Sequence, residues 1–350
     1  MNDSMITMDS NYTNLTTSEE DFQRRSLEAI IIGSIFLLAI ILCSILGNIS
    51  VIVAVWTYPK LYEQKASIFI VNLSITDLCN AIFVMIWTCC ALITDGWPFG
   101  IMWCRFQCAF NYWLIIVSMQ TLAWISVDRY HSIAHPLQYA DYLTTKKIMM
   151  MLSFSWILGL IFAFVPVFLD WVHYDYWEVV CAINWHYQQD MAVFYVVIAF
   201  IVCFLVPAVI MVGCYSCIAY AANKCARRIE ACVVPRSQSI ASDSNSTGTS
   251  QTTKLIQSNT KVIKSLIIVV AVFFVCMTPF CVTKLLKVVF YNNIVPGWLN
   301  AFSTWVQFLS SASNPFIYGI FRKDFRMAFR RQIRFLNCGL FNVELSSEST

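Results

Sequence analysis

Charge is what this 350-residue sequence has least of. Only 12% of its residues are Asp, Glu, Lys or Arg, while 59% are hydrophobic; an ordinary soluble domain is about a quarter charged. No water-soluble core absorbs so much apolar surface, so the surplus has to face lipid, and the net charge of +3 says little beside where the charges lie. Strict polar–apolar alternation is missing too, which excludes a transmembrane barrel and leaves helices. The first 26 residues hold no apolar stretch, so no cleavable leader is read there and the first span serves as its own insertion signal. Metal-ligand clusters, phosphate loops, dinucleotide fingerprints and internal repeats are all absent. His131, His135, His173 and His186 fall in loops or at interfaces. The sequence therefore offers no catalytic residues, no metal site and no nucleic-acid partner. It also argues against an intramembrane hydrolase, and against a transporter or channel, which wants several buried charges or paired repeats.

What is there is a series of long uncharged windows. A spanning helix needs roughly 17 to 25 apolar residues. The gaps Glu28–Lys60, Lys65–Asp95, Arg105–Asp128, Lys147–Asp170, Asp190–Lys224, Lys264–Lys284 and Lys287–Arg322 are each long enough, with only Asp77 inside one of them. The fold class expected is an all-α membrane protein, a seven-helix bundle over 29–320. Its spans fall near 29–57, 66–94, 102–134, 146–169, 191–223, 260–290 and 298–320. With the N-terminus outside, 18 of the 23 Lys and Arg residues fall on the inner side, which sets the orientation. A tail over 1–28 then lies outside, and its sequons at Asn2, Asn11 and Asn14 point to glycosylation. Most of the 15 cysteines read as small packing residues. Cys104, at the outer mouth of the third span, and Cys181, in the following outer loop, sit where disulfides persist, and a bridge between them would pin the loop across the mouth.

On the inner side, residues 224–259 form a loop with a Ser- and Thr-rich run from Ser237 to Ser250. It reads either as a linker or as a phosphorylation cluster. Residues 321–350 begin with Phe321, Phe325, Phe329 and Ile333 at four-residue spacing among arginines, a short amphipathic C-terminal helix lying on membrane lipid. Cys338 beyond it is either a palmitoylation site or a plain thiol.

Asp77 is the acid deep inside a span, and such a group must find polar partners or neutralise. Asn48, Ser118, Ser310, Ser311 and Asn314 are the candidates, forming either a structural polar knot or a water- and ion-containing core with Na+ beside Asp77. A lone acid is too little for a proton relay.

These residues stand in motifs that resemble, span by span, the rhodopsin-like (class A) G protein-coupled receptors. They are Gly47-Asn48 with Val51, Asn72-Leu73-Ser74 with Asp77, and Trp97, Phe99 and Gly100 before Cys104. Then follow Asp128-Arg129-Tyr130, Trp156, Pro207 with Tyr215, Pro279, and Asn314-Pro315 with Tyr318. Each motif alone is weak, but their order across the bundle is specific. The resemblance implies a receptor that passes an extracellular signal to heterotrimeric G proteins and then meets receptor kinases and arrestin. It implies a resting Asp128–Arg129 pair whose release lets the sixth span swing outward. Tyr130, Tyr215, Phe273, Pro279, Asn314, Pro315 and Tyr318 complete that switch, with Met119 and Pro207 beside Phe273 in the core connector.

Two departures stand out. Met277 occupies the place of the family's sixth-span tryptophan, and Asn259 the place of an acid that pairs with the arginine in some subfamilies. Elevated basal signalling is the expectation. Amine receptors carry a third-span Asp where this chain has Asn111, and opsins a seventh-span Lys where it has Phe308, so neither a typical monoamine nor retinal is expected. The pocket wall expected is Asn111, Tyr112, Ile115, Phe200, Phe280, Lys284, Thr304 and Phe308. Lys284 either anchors an acidic ligand group or snorkels outward. Asp170, Asp175, Glu178 and Asp190 in the second outer loop either attract a basic peptide or keep the surface soluble. The stretch Cys181–His186 resembles loops of several orphan receptors near the amine branch.

Overall fold

A computed structural model describes residues 24–135, 137–183, 189–233, 267–287 and 295–347, with side chains described outside 140–141, 189–190, 222–233 and 336–347. Helix α1 (Leu27–Thr57) starts where the Ser26 hydroxyl accepts from the Ala29 N–H at 3.2 Å, satisfying one of the free donors of the first turn. There follow α2 (Ser67–Ile93), α3 (Gly100–Ala134), α4 (Thr145–Phe168), α5 (Met191–Ala221, helical on to Val233) and α6 (Ile267–Lys287). These six are long and apolar enough to cross a membrane. Helix α7 (Gly297–Phe321) is as long but more polar, because Asn300, Ser303, Gln307, Ser311 and Asn314 on it are buried against the other helices. Helix α8 (Lys323–Ser347) follows after one residue and stacks Phe325 on Tyr318, with ring centroids 5.2 Å apart.

The helices differ in what surrounds them. In its most apolar stretch α1 is 28% buried and α3 is 72% buried. Helix α3 lies against α2, α4 and α5. It therefore tolerates buried Asn111, Ser118, Gln120, Thr121 and Ser126, which would be costly facing hydrocarbon. Helix α1 instead shows Ile32, Ile35, Leu38, Leu42 and Leu46 outward. Where α1 meets α7 the Gly47 backbone lies against the Pro315 ring: a Cβ on Gly47 would lie 2.7 Å from it. A Cβ on Gly159 would likewise lie 2.7 Å from Trp113, so α3 and α4 approach through bare backbone.

Two features add to the spans and the outer loop expected. Helices α2 and α5 each contain a π-helical turn, at Ala81–Met85 and Phe200–Leu205. In α5 it lies just before Pro207, which has no N–H to give the Cys203 carbonyl and whose ring crowds it; widening the turn relieves that crowding. Between α4 and α5 the chain forms an antiparallel hairpin, β1 (Val172–Asp175) and β2 (Val180–Ile183), with Tyr174 opposite Cys181. The hairpin stands at one end of the bundle, joined to α3 at Cys104, and Arg129 lies near the other end of α3.

Candidate ligand cavity and switch

The hairpin is held from below. Cys104 and Cys181 are joined by a disulfide. One turn further along α3, Gln107 accepts from the Cys181 N–H at 2.9 Å and donates to the Val84 carbonyl at 3.2 Å and to Thr88 at 3.1 Å. Strand β2 is thereby drawn into the bundle, and Val180 packs in one cluster with Leu37, Val84, Met85 and Phe308. Nothing in the sequence patterns singled out Gln107.

Above this lies a network of charges. Glu178, fully buried in the hairpin turn, bonds both Lys284 and Lys287 of α6, the latter at 2.7 Å; Lys287 also reaches Asp175 at 2.9 Å. Burial raises the pKa of Asp175, but Lys287 and Lys284 outweigh it and hold the carboxyl below 3.8. Two expectations are narrowed here. Lys284 is 6% exposed, so it does not snorkel, and its ammonium is already paired and not free to anchor an acid. Of the loop acids, Asp175 and Glu178 turn inward, while Asp170 pairs with Arg105 and stays exposed. A paired lysine offsets its desolvation only through such partners, which is why both signs are buried together. Arg25, ahead of α1, bonds Asp95 at 2.7 Å and lies over the Tyr176 ring at 3.8 Å, tying the approach to α1 to the hairpin.

Under this roof is a cavity of about 120 Å³ between α3, α5 and α6. Tyr112, Ile115, Phe200, Phe280 and Lys284 line it as expected. Asn111, Thr304 and Phe308 do not. Phe308 is sealed against α1 and α2 by the cluster around Val180, the Thr304 hydroxyl turns back to the Asn300 carbonyl at 3.3 Å, and Asn111 is buried behind the wall. The plunging hairpin fills the α7 side and confines the hollow to the α5 side. Its floor is Met119, Phe273 and Met277. Those three side chains also belong to the main apolar core, which continues through Leu122, Ile125 and Ile317 to Tyr318.

The polar core lies beside that column. Asn314 donates to the Asp77 carboxylate at 2.8 Å, with Ser311 bonding it as well. Asn48 donates to the Ser311 carbonyl at 3.1 Å and the Ser44 carbonyl at 2.9 Å. Ser118 pairs with Thr76 at 3.0 Å, and Ser310 turns to its own helix, to the Gln307 carbonyl at 2.7 Å. Trp156 ties three helices by donating at 2.9 Å to Asn72, which itself donates to Thr121 at 2.9 Å. At the far end Asp128 is buried and accepts from the Arg129 Nε at 2.7 Å and from the Tyr139 hydroxyl at 2.7 Å. Tyr130 stacks edge-on with His131, and Tyr215 and Pro279 stand on α5 and α6. The buried Tyr318 hydroxyl, beside Pro315, finds no partner among the described residues. Asn2, Asn11, Asn14, Asn259 and the loop beyond Val233 lie outside the described residues, as does the side chain of Cys338. Asp190 likewise has no described side chain.

Residues 47–318 match the model of the 7 transmembrane receptor (rhodopsin family), and the chain belongs to that family. It is 31% identical over 321 residues to 5-hydroxytryptamine receptor 4 of Cavia porcellus, covering 89% of this chain and 81% of that receptor. It is 30% identical over 351 residues to the D(1B) dopamine receptor of Xenopus laevis, covering 93% and 74%. The crystal structure of squid rhodopsin superposes with a TM-score of 0.78 at 21% identity, over 90% of this chain and 88% of that one. That likeness speaks for the fold, a seven-helix membrane bundle. The protein is thus a non-enzymatic, multi-pass plasma-membrane receptor of the rhodopsin-like class, near the amine branch, and it couples to G proteins.

Proposed function

We propose that the hairpin end faces outside and that a ligand entering the cavity between α3, α5 and α6 shifts α6 and frees Arg129 for a heterotrimeric G protein. The observation that carries this is continuity: the side chains flooring the cavity are the first members of the apolar column leading to Tyr318. A ligand pressing on Met277 or Phe273 changes packing that reaches the switch without any further relay. Met277 is narrower and more pliable than the family's tryptophan, and it supports a receptor with appreciable basal signalling. The charge count supports the orientation.

The ligand proposed is uncharged and apolar or aromatic, not a typical monoamine. The named relatives are amine receptors, but no carboxylate lines this cavity among the described residues, and the one charged group in its wall is a lysine. The Asp77 carboxylate and the Ser311 hydroxyl that bonds it are oxygen donors of the kind a hard cation takes, so Na+ is proposed there. Receptor kinases and arrestin are proposed to act on the loop with the Ser- and Thr-rich run. A panel of G protein dissociation sensors, read without ligand in cells carrying wild type or Arg129→Ala, tests the reading. A signal above empty vector in at least one channel, lost in the variant, is expected. If wild type and variant behave alike in every channel, with and without agonist, the mechanism is wrong.

A further inference from the structure

Arg322, the single residue between α7 and α8, is a cation buried without a matching anion. Its backbone is fixed on both sides, the N–H on the Tyr318 carbonyl at 2.9 Å and the carbonyl under the Arg326 N–H at 3.0 Å. The side chain is 6% exposed, lies over the Phe325 ring at 4.8 Å and donates from Nη2 to Gln64 at 3.3 Å. No carboxylate forms an ion pair with it among the described residues; Asp324 is felt across space but does not reach it. Burial and the like charge of Arg129 lower its pKa to about 10, so it stays charged at pH 7 and at a cost. A charge buried in that way calls for a partner of opposite sign.

The place for one is beside it. Gln64, Ser67 of α2, Asp128 and Arg129 of α3, and Arg322 surround a hollow of about 10 Å³, room for one particle near the size of water. Two buried polar atoms of its wall have no hydrogen-bond partner among the described residues, Arg322 Nε and the Ser67 hydroxyl. Both can donate. Asp128 is the one carboxylate in the wall, and Arg129 and Tyr139 already occupy it. Two guanidiniums against one carboxylate leave a surplus of one positive charge. We propose that this hollow binds a single chloride ion, which accepts from Arg322 and Ser67 and cancels that surplus. A water molecule would satisfy the two donors and leave the charge standing. Sulfate, phosphate and lipid headgroups are too large for the space. The ion would join α2, α3 and the α7–α8 junction at one point.

The test exchanges the anion. Purified full-length receptor in detergent is held in potassium gluconate and titrated with potassium chloride at constant ionic strength, reading melting temperature and the chloride NMR line width. Wild type is expected to melt higher as chloride rises and to broaden the chloride line. Arg322→Gln should weaken both responses by about tenfold or more, the loss of a charged donor, and Ser67→Ala by about threefold. Should Arg322→Gln fail to fold, Ser67→Ala, which only removes a hydroxyl, still decides. Arg105→Gln, at the hairpin end, should leave both responses unchanged. Equal melting in chloride and gluconate with no broadening would overturn the proposal and make the occupant water. A chloride response that survives both Arg322→Gln and Ser67→Ala would place the ion elsewhere. Sulfate acting as well as chloride would contradict a hollow of this size. None of these readouts depends on signalling, so failure of the receptor mechanism leaves the result intact.

Discussion

The two ends of the bundle are held together by different kinds of force. At the hairpin end a disulfide, the Arg25–Asp95 and Arg105–Asp170 pairs and the Glu178 cluster fix the chain at defined points. At the Arg129 end the polar ties among the described residues are fewer: Asp128 with Arg129 and Tyr139, Lys65 with the Leu143 carbonyl at 3.0 Å, and Arg322 with Gln64 at 3.3 Å. The contrast is sharpest along α6. Near its hairpin end Thr283 meets Ser303 at 3.2 Å, and Lys284 and Lys287 meet the hairpin acids. Toward the other end, Thr278 bonds only its own helix, and Val269, Val270 and Phe273 hold by apolar packing among the described residues. Directional bonds resist displacement, whereas apolar contacts can exchange neighbours at small cost. The hairpin end is the frame, and the Arg129 end is the part able to rearrange.

That contrast can be broken most forcefully at its covalent point. Cys104→Ser opens a loop closed over a sequence separation of 77. Chain entropy then puts the loss at about 4 to 5 kcal/mol, expected as a collapse of folded receptor at the cell surface by flow cytometry. Glu178→Gln strands Lys284 against one fewer carboxylate, a cost of about 3 to 5 kcal/mol for a broken buried pair. A thermal melt of purified receptor should show it, and Glu178→Gln with Lys284→Met should recover part of the loss. Gln107→Leu removes the acceptor of the Cys181 N–H and should cost about 1 to 3 kcal/mol while widening the cavity toward Phe308. At the other end the stability effect is expected to be smallest and the functional one visible. Tyr139→Phe should change stability by about 1 kcal/mol and raise ligand-free G protein dissociation; an unchanged basal signal would remove Tyr139 from the resting state.

Acid adds a finer test. The Asp175 pKa is lower in the folded protein than the ordinary 3.8, so its contribution is complete above that value and is lost as pH falls through the folded one. Melting temperature should therefore lose nothing from this group between pH 7 and 5. The acid-side fall below about pH 4 should be shallower in Asp175→Asn. A fall at pH 6 attributable to Asp175 would contradict the pairing.

The seven helices were legible because lipid forbids charge over a fixed length, a rule that acts on each stretch by itself. The motif residues were legible in the same local way: Asp77 does meet Asn314, and Cys104 does meet Cys181. What could not be read was pairing at a distance. Glu178 and Lys284 stand 106 residues apart, and sign alone does not say which lysine an acid will choose or that the pair will be buried. Asn111, Thr304 and Phe308 were placed in the pocket by family position, which knows nothing of Val180 entering beside Phe308. The π turns escaped because hydrophobic content does not record one extra residue per turn.

One consequence follows from where α6 is fastened. Its 21 described residues reach about 30 Å at the rise of an α-helix. Held near Lys284 and Lys287, such a rod turns by leverage. A tilt of about 10° at the fastened end carries the tip about 5 Å, roughly the length of one helical turn. Pro279 places the weakest backbone joint beside the fulcrum, four residues before Thr283. A cavity no larger than this one can then gate a far wider opening, because the ligand has only to supply the angle and the helix supplies the distance.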